Sequence, residues 1–253
     1  CGPGATDTYY LMGNYYGISN RYNSYLQGIS DKVSSGTTID YRPGFLATHE
    51  RRNKADWVTW EARWSDVTIA VIGNSNYTEG EEGEAIDSEN SGDRPDIRLP
   101  KVQLDFLRKA ATDRHGKLIT VVTGGSPIDL KEVAELSDAV IIAWYPGQEG
   151  GLALGDLLFG DADFTGRLPI TFPTSADVLP PFDDYSMQGR TYKYMEDEDI
   201  LYPFGFGLTY GKINYSDATA TLSKDGLHVT ATVGNQSDKA TVETMQVYLS
   251  SPT

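Results

Sequence analysis

The sequence contains little cysteine, little histidine and little positive charge. Its single cysteine, Cys1, excludes an intramolecular disulfide. The three histidines are scattered along the chain and form no cluster of the kind that binds zinc. The 21 Lys and Arg residues are outnumbered by 36 Asp and Glu residues, which gives a net charge of −15. Because nucleic-acid binding depends on basic residues that neutralise phosphates, this balance excludes a nucleic-acid partner.

Long hydrophobic runs and phosphate-binding motifs are also missing. The longest apolar runs, such as 139–144, are much shorter than the roughly 20 residues of a membrane span, so no membrane span is expected. No Walker A or G-x-G-x-x-G element follows a predicted strand, and no G-x-S-x-G motif accompanies the histidines. The sequence therefore predicts no cofactor and no metal, and it argues against a Ser-His-Asp hydrolase.

The first residues carry no targeting signal. The chain begins C-G-P-G, without an initiator methionine and without the charged and apolar regions of a signal peptide. We therefore expect this sequence to be a piece of a longer protein.

Short apolar runs alternate with stretches of helical periodicity along most of the chain. Three runs rich in β-branched residues predict strands that are buried on both faces, at 68–72, 117–122 and 139–143. Helices are predicted at 24–33, 55–64, 100–111 and 152–159. This alternation predicts an α/β fold with an open, mostly parallel sheet flanked by helices, which is an α/β sandwich.

Three tryptophans share one face of the predicted helix at 55–64. Trp57, Trp60 and Trp64 follow the spacing i, i+3 and i+7, which places them on the same side of a helix. Such a stripe belongs either to the hydrophobic core or to an exposed surface that stacks on sugars. The core face is the preferred interpretation.

The predicted secondary structure changes near residue 202. From 213 onward it predicts strands, at 219–222, at 227–233 after a turn at 224–226, and at 244–249. Asp-Gly between alternating strands is a strong hairpin signal. Three or four strands are too few for a sandwich of about seven. The segment is therefore predicted to be a truncated all-β immunoglobulin-like or fibronectin-like domain.

The acidic loop after the first predicted strand is the leading candidate for chemistry. In open α/β sheets, ligands bind beyond the carboxyl ends of the strands. Crowded carboxylates raise one another's pKa, which can keep an acid protonated near neutral pH. On loop composition alone, a solvated surface loop is the slightly favoured interpretation. The loop, 73–99, contains the carboxylates Glu79, Glu81, Glu82, Glu84, Asp87, Glu89, Asp93 and Asp96.

Four groups of motifs together resemble the C-terminal half of family 3 glycoside hydrolases, the β-glucosidase and β-xylosidase group. The first is G-N-Y-Y-G at 13–17. The second is E-G-E-E at 79–82, followed by G-D-R and by L-P-x-x-Q at 99–103. The third is W-Y-P-G-Q-E-G-G at 144–151, followed by F-G-D and G-R-L-P. The fourth is Y-P-F-G-F-G-L-T-Y at 202–210, so the likeness spans almost the whole chain.

Enzymes of this family join a catalytic barrel to an α/β sandwich and a fibronectin-like domain. The resemblance implies a sandwich at 1–210 and part of a fibronectin type III-like domain at 211–253. In such enzymes the barrel supplies an aspartate nucleophile, and the sandwich supplies a glutamate acid/base from an acidic loop. That role falls on Glu79, with Glu81 as the alternate because the repeated E-G-E-E-G-E leaves the alignment loose. The family pattern also implies that Asp93 and Arg94 brace the loop.

The resemblance implies part of a retaining, exo-acting β-glycosidase, either a β-glucosidase or a β-xylosidase. Its expected substrate is an oligosaccharide or an aryl β-glycoside. Its expected partner is the N-terminal barrel of the same protein, without which the chain is predicted to be inactive. A periplasmic or secreted location is expected from the same likeness. Two alternatives stay open, a non-catalytic carbohydrate-binding or assembly module and a flavodoxin-like ligand-binding domain.

Overall fold

The computed structural model describes residues 1–14, 17–80, 83, 85–88, 90 and 92–250. Its centre is a parallel sheet with the strand order β1-β2-β3. These strands are β1 (Val67–Gly73), β2 (Lys117–Thr123) and β3 (Ala139–Ile142). Helices lie on both faces of the sheet, so the predicted open α/β sandwich is confirmed.

One face of the sheet packs against α3 (Trp57–Trp64) and α4 (Lys101–Ala111). Alternate residues of β1 point to opposite faces, as they must in a strand. Ala70 and Ile72 therefore join the same core cluster as Phe106 of α4.

The other face packs against α2 (Tyr25–Ser30) and α6 (Gly150–Phe159). Val71, which lies between the two β1 residues of the first cluster, belongs to this second cluster together with Tyr25 and Leu154. The sheet is thus covered on both sides, which explains why its strands are continuous apolar runs.

The tryptophan stripe on α3 faces solvent, so the predicted core face is wrong. Trp57, Trp60 and Trp64 are 64%, 57% and 59% exposed. The helix is instead attached through the small side chains of Val58 and Ala62, which are buried at a spacing of i and i+4. The apolar residues of this helix lie on two faces. The face with the smaller residues, Val58 and Ala62, is the one that is buried.

The remaining described elements are short. In the described part of the chain, no helix is long and apolar enough to cross a bilayer. The short elements are α1 (Tyr9–Met12), α5 (Lys131–Leu136), α7 (Thr191–Tyr194), the antiparallel pair β4 (Phe172–Pro173) and β5 (Ile200–Tyr202), and single 3₁₀ turns at Pro3–Ala5, Ala176–Val178 and Asp197–Asp199.

The C-terminal segment begins with the predicted hairpin. The antiparallel strands β6 (Ile213–Ser223) and β7 (Gly226–Asn235) flank the Asp-Gly turn, which confirms that prediction. The strand predicted at 244–249 is wrong, because these residues pair with no other strand. This segment instead runs against the preceding part of the chain, where Glu243 Oε2 lies 2.9 Å from the Nη2 atom of the buried Arg167.

Asp163 fixes residues 209–210, which lead into the C-terminal segment. Its carboxylate accepts hydrogen bonds from the Thr209 hydroxyl and from the Tyr210 backbone N–H, the latter at 2.8 Å. Burial alone would raise the pKa of Asp163, but hydrogen bonds from the Thr209 and Thr241 hydroxyls and from backbone N–H groups outweigh it. The pKa of Asp163 is therefore lowered to about 2.

Gln103 fixes the carboxyl end of β1. Its side chain is fully buried, and its Oε1 atom accepts the Gly73 N–H at 2.7 Å. Its Nε2 atom donates to the Gly73 carbonyl at 2.9 Å and to the Ala47 carbonyl at 2.8 Å. The L-P-x-x-Q motif therefore has a structural role, because one amide holds the residue from which the acidic loop departs.

Replacing Gln103 by Ala is expected to destabilise the fold. The Gly73 N–H, the Gly73 carbonyl and the Ala47 carbonyl would lose their partner, so we expect the free energy of unfolding to fall by about 3 kcal/mol. Urea unfolding followed by circular dichroism measures this loss. The matched control is Gln188→Ala at an exposed position, and equal effects of the two substitutions would contradict the role of Gln103.

The Asp163 contribution to stability should disappear in acid. Since the folded-state pKa lies below the ordinary value of 3.8, the contribution is complete above about pH 5 and is lost as the pH falls towards 2. We expect Asp163→Asn to cost about 1–2 kcal/mol at pH 6 and much less at pH 2.5. Unfolding of both proteins at the two pH values tests this. A cost that does not depend on pH would contradict it.

Candidate active site

The candidate site lies at the carboxyl edge of the parallel sheet. Gly73 pairs with Thr123 across β1 and β2, and Val122 pairs with Ile142 across β2 and β3, so the three strands end together. The loops that follow them therefore start side by side, which is where ligands bind in open α/β folds.

A tight turn after β1 sets the position of Glu79. The Asn74 N–H donates to the Thr123 carbonyl at 2.9 Å, which anchors the start of the loop on β2. The Thr78 hydroxyl donates to Asn74 Oδ1 at 3.3 Å, inside a buried turn. The Glu79 N–H donates to the Ser75 carbonyl at 2.9 Å and closes this turn. Glu79 is thus held by the backbone only a few residues beyond the sheet.

The Glu79 carboxylate is held by donors from the loops after β2 and β3. The Gly125 N–H donates to Oε2 at 3.0 Å, and the Tyr145 hydroxyl donates to the same oxygen at 2.9 Å. The Ser126 hydroxyl donates to Oε1. The side chain of Glu79 is 21% exposed, so the carboxylate is partly shielded from water and still accessible.

Arg94 connects the far end of the acidic loop to the same cluster. Its Nε atom lies 3.6 Å from Glu79 Oε1. Its Nη2 atom donates to the Ser126 hydroxyl and, at 3.0 Å, to the Pro127 carbonyl. The guanidinium therefore braces the loop against the β2–α5 connection, as the family pattern implied for Arg94.

Tyr145 keeps its proton in this environment. Burial and then the nearby Glu79 carboxylate raise the pKa of Tyr145 above its ordinary value. The phenol is consequently neutral across the physiological range, and its O–H remains available as a hydrogen-bond donor to Glu79.

A cleft of about 370 Å³ opens beside this cluster. Asn74, Thr78 and Arg94 line it as well as supporting the Glu79 loop. Within the described residues, Asn74 Nδ2 and Arg94 Nη1 are buried and make no hydrogen bond. The volume of the cleft lies in the range of roughly 300–1,000 Å³ that is usual for small-molecule sites.

The predicted site residues differ in their position relative to the hydrogen-bonded cluster. Glu79 lies at the centre of the cluster, whereas Glu81, the alternate, lies outside the described residues. Asp93 forms a β-bridge with Asn90 within the loop and makes no described contact with Glu79.

Ser126 and Tyr145 were not predicted as neighbours of Glu79. Both residues follow predicted strands. Because parallel strands end at one edge of the sheet, the sequence did indicate that the loops containing these residues would meet the acidic loop. The W-Y-P-G-Q-E-G-G motif that contains Tyr145 entered the prediction only through the family resemblance. The sequence does not reveal which side chain on a neighbouring loop points towards the acidic loop.

Comparison with known proteins identifies relatives over this same region. A sequence model of the glycosyl hydrolase family 3 C-terminal domain matches residues 1–210. A xylan 1,4-beta-xylosidase from Xylanibacter ruminicola is 44% identical over 68% of this chain, which corresponds to 20% of that protein. A periplasmic beta-glucosidase from Salmonella typhimurium is 31% identical over 98% of the chain and 36% of that protein. The chain thus spans about a fifth to a third of their length.

A solved structure supports the same relationship. The family 3 beta-glucosidase of Bifidobacterium adolescentis superimposes with a TM-score of 0.70 at 26% identity, over 87% of this chain and 33% of that chain. The sandwich fold, the order of the motifs and the match over residues 1–210 therefore agree. The chain belongs to glycosyl hydrolase family 3 and contains its C-terminal domain.

Proposed function

We propose that this chain is part of a retaining, exo-acting β-glycosidase, with Glu79 as the general acid/base. The substrate is a terminal β-linked glucoside or xyloside, in an oligosaccharide or an aryl glycoside. The observation that carries the proposal is the position of the Glu79 carboxylate at the carboxyl edge of the sheet. There it is partly buried and held by donors from two other loops.

The chemistry requires two carboxyl groups with different roles. In a retaining glycosidase, one carboxylate attacks the anomeric carbon and the other first protonates the leaving oxygen. The second group then removes a proton from the attacking water. A glutamate that is fixed in place yet still accessible suits this second role, because both proton transfers depend on position.

The nucleophile in this proposal is an aspartate of an N-terminal barrel in the same polypeptide. Residues 1–210 form the sandwich that faces this barrel, and residues 211–253 begin a fibronectin type III-like domain. Two observations support this arrangement. The relatives are much longer than this chain, and the family model that matches residues 1–210 describes a C-terminal domain.

The isolated chain is expected to be inactive. Since the attacking carboxylate belongs to the barrel, the purified 253 residues should release no nitrophenol from nitrophenyl β-glucoside or β-xyloside. The matched control is the same preparation carrying Glu79→Ala, which identifies any contaminating activity. A rate of hydrolysis by the unmodified chain above that of this control would contradict the proposal that the nucleophile belongs to the barrel and the acid/base to this chain.

In the full-length enzyme, Glu79→Ala should remove acid/base catalysis. We expect kcat/KM for a nitrophenyl glycoside to fall by about 10²–10⁴-fold, the usual contribution of a general acid or base. Azide should restore part of the turnover, because a small anion can attack the glycosyl-enzyme intermediate without a base. The control is Glu135→Ala at an exposed position of α5. Unchanged kinetics would refute Glu79, and the loss appearing only in Glu81→Ala would move the role to Glu81.

A further inference from the structure

The backbone around Tyr145 is arranged to hold its ring. Trp144, the preceding residue, has a φ of 53°, a region that bulky residues rarely adopt. A Cβ atom at Gly13 would lie 2.6 Å from the Tyr145 ring, and one at Gly125 would lie 3.2 Å from it. The ring therefore occupies space that two separate loops leave free, and an uncommon backbone conformation directs it there.

The two oxygens of Glu79 have different neighbours. Oε2 accepts from the Gly125 N–H, which can only donate, and from the hydroxyl of Tyr145. Oε1 accepts from the hydroxyl of Ser126, which in turn accepts from Arg94, and Oε1 lies 3.6 Å from the Arg94 Nε atom, beyond hydrogen-bond distance. A serine oxygen has two lone pairs. The Ser126 oxygen can therefore accept a hydrogen bond from a protonated Glu79 Oε1 in addition to the one from Arg94.

These neighbours favour a proton on one oxygen over the other. A proton on Oε2 would point at the Gly125 N–H, which has no lone pair to accept it. A proton on Oε1 would meet the Ser126 hydroxyl, which can reverse its direction, or a substrate oxygen. The cluster therefore distinguishes two atoms that are chemically equivalent in a free carboxyl group.

From this asymmetry we infer that Tyr145 is a positioning residue, which holds Oε2 of Glu79 and leaves Oε1 to carry the proton that reaches the leaving group. The inference rests on the proposed function of Glu79. Tyr145 itself transfers no proton and touches no reacting atom. Its hydroxyl keeps the carboxyl group in one rotation while Glu79 is ionised and while it is protonated.

The test is Tyr145→Phe in the full-length enzyme, with substrates of different leaving groups. The phenylalanine ring still fills the space between Gly13 and Gly125, so the fold should persist, as thermal unfolding will show. An unmodified disaccharide needs acid assistance, whereas a dinitrophenyl glycoside leaves without it. We expect kcat/KM to fall about tenfold for the disaccharide, because one hydrogen bond to a charged group is lost. For the dinitrophenyl glycoside we expect a fall of less than about twofold.

The control is Tyr210→Phe, which removes a hydroxyl that donates at 2.8 Å to the Leu157 carbonyl, away from Glu79. It should affect neither substrate. Equal losses on both substrates in Tyr145→Phe, or no loss on either, would overturn the inference. Glu79→Ala measured in parallel separates the two levels. If it retains full activity, the proposed function fails. If it is inactive while Tyr145→Phe matches the control, only the role of Tyr145 fails.

Discussion

The hydrogen bonds to the Glu79 carboxylate are the interaction on which the candidate site depends. They join the loops that follow all three parallel strands, since Glu79 comes after β1, Gly125 and Ser126 after β2, and Tyr145 after β3. None of these donors is close to Glu79 in sequence. Their meeting is a consequence of strand register, because parallel strands that end together bring their loops to one edge.

The local electrostatics of the site differ from those of the whole chain. The chain has a net charge of −15 and the loop is rich in carboxylates, yet the described groups in contact with Glu79 are donors and the Arg94 guanidinium. A fixed set of donors holds a carboxylate without the reorganisation that water would require. The same donors link the acidic loop to the rigid sheet, which supports the precision that the proposed proton transfer demands.

The three strands of the parallel sheet, the helices α2, α3, α4 and α6 and the Asp-Gly hairpin could be predicted because periodicity and turn chemistry are local properties. The tryptophan stripe was predicted wrongly, since periodicity shows that Trp57, Trp60 and Trp64 share a face but not that Val58 and Ala62 supply the buried one. Glu79 was found through the resemblance. Its partner Tyr145 could not be predicted, because that contact depends on a positive φ at Trp144 and on space beside Gly13.

The central proposal is that Glu79 donates the proton that releases the leaving group. The most direct measurement is kcat/KM for an unactivated disaccharide and for a dinitrophenyl glycoside, in the full-length enzyme and in its Glu79→Gln variant. The account predicts a loss of about 10²–10⁴-fold for the disaccharide, whose leaving oxygen needs a proton, and a much smaller loss for the dinitrophenyl glycoside. Equal losses on the two substrates would contradict it.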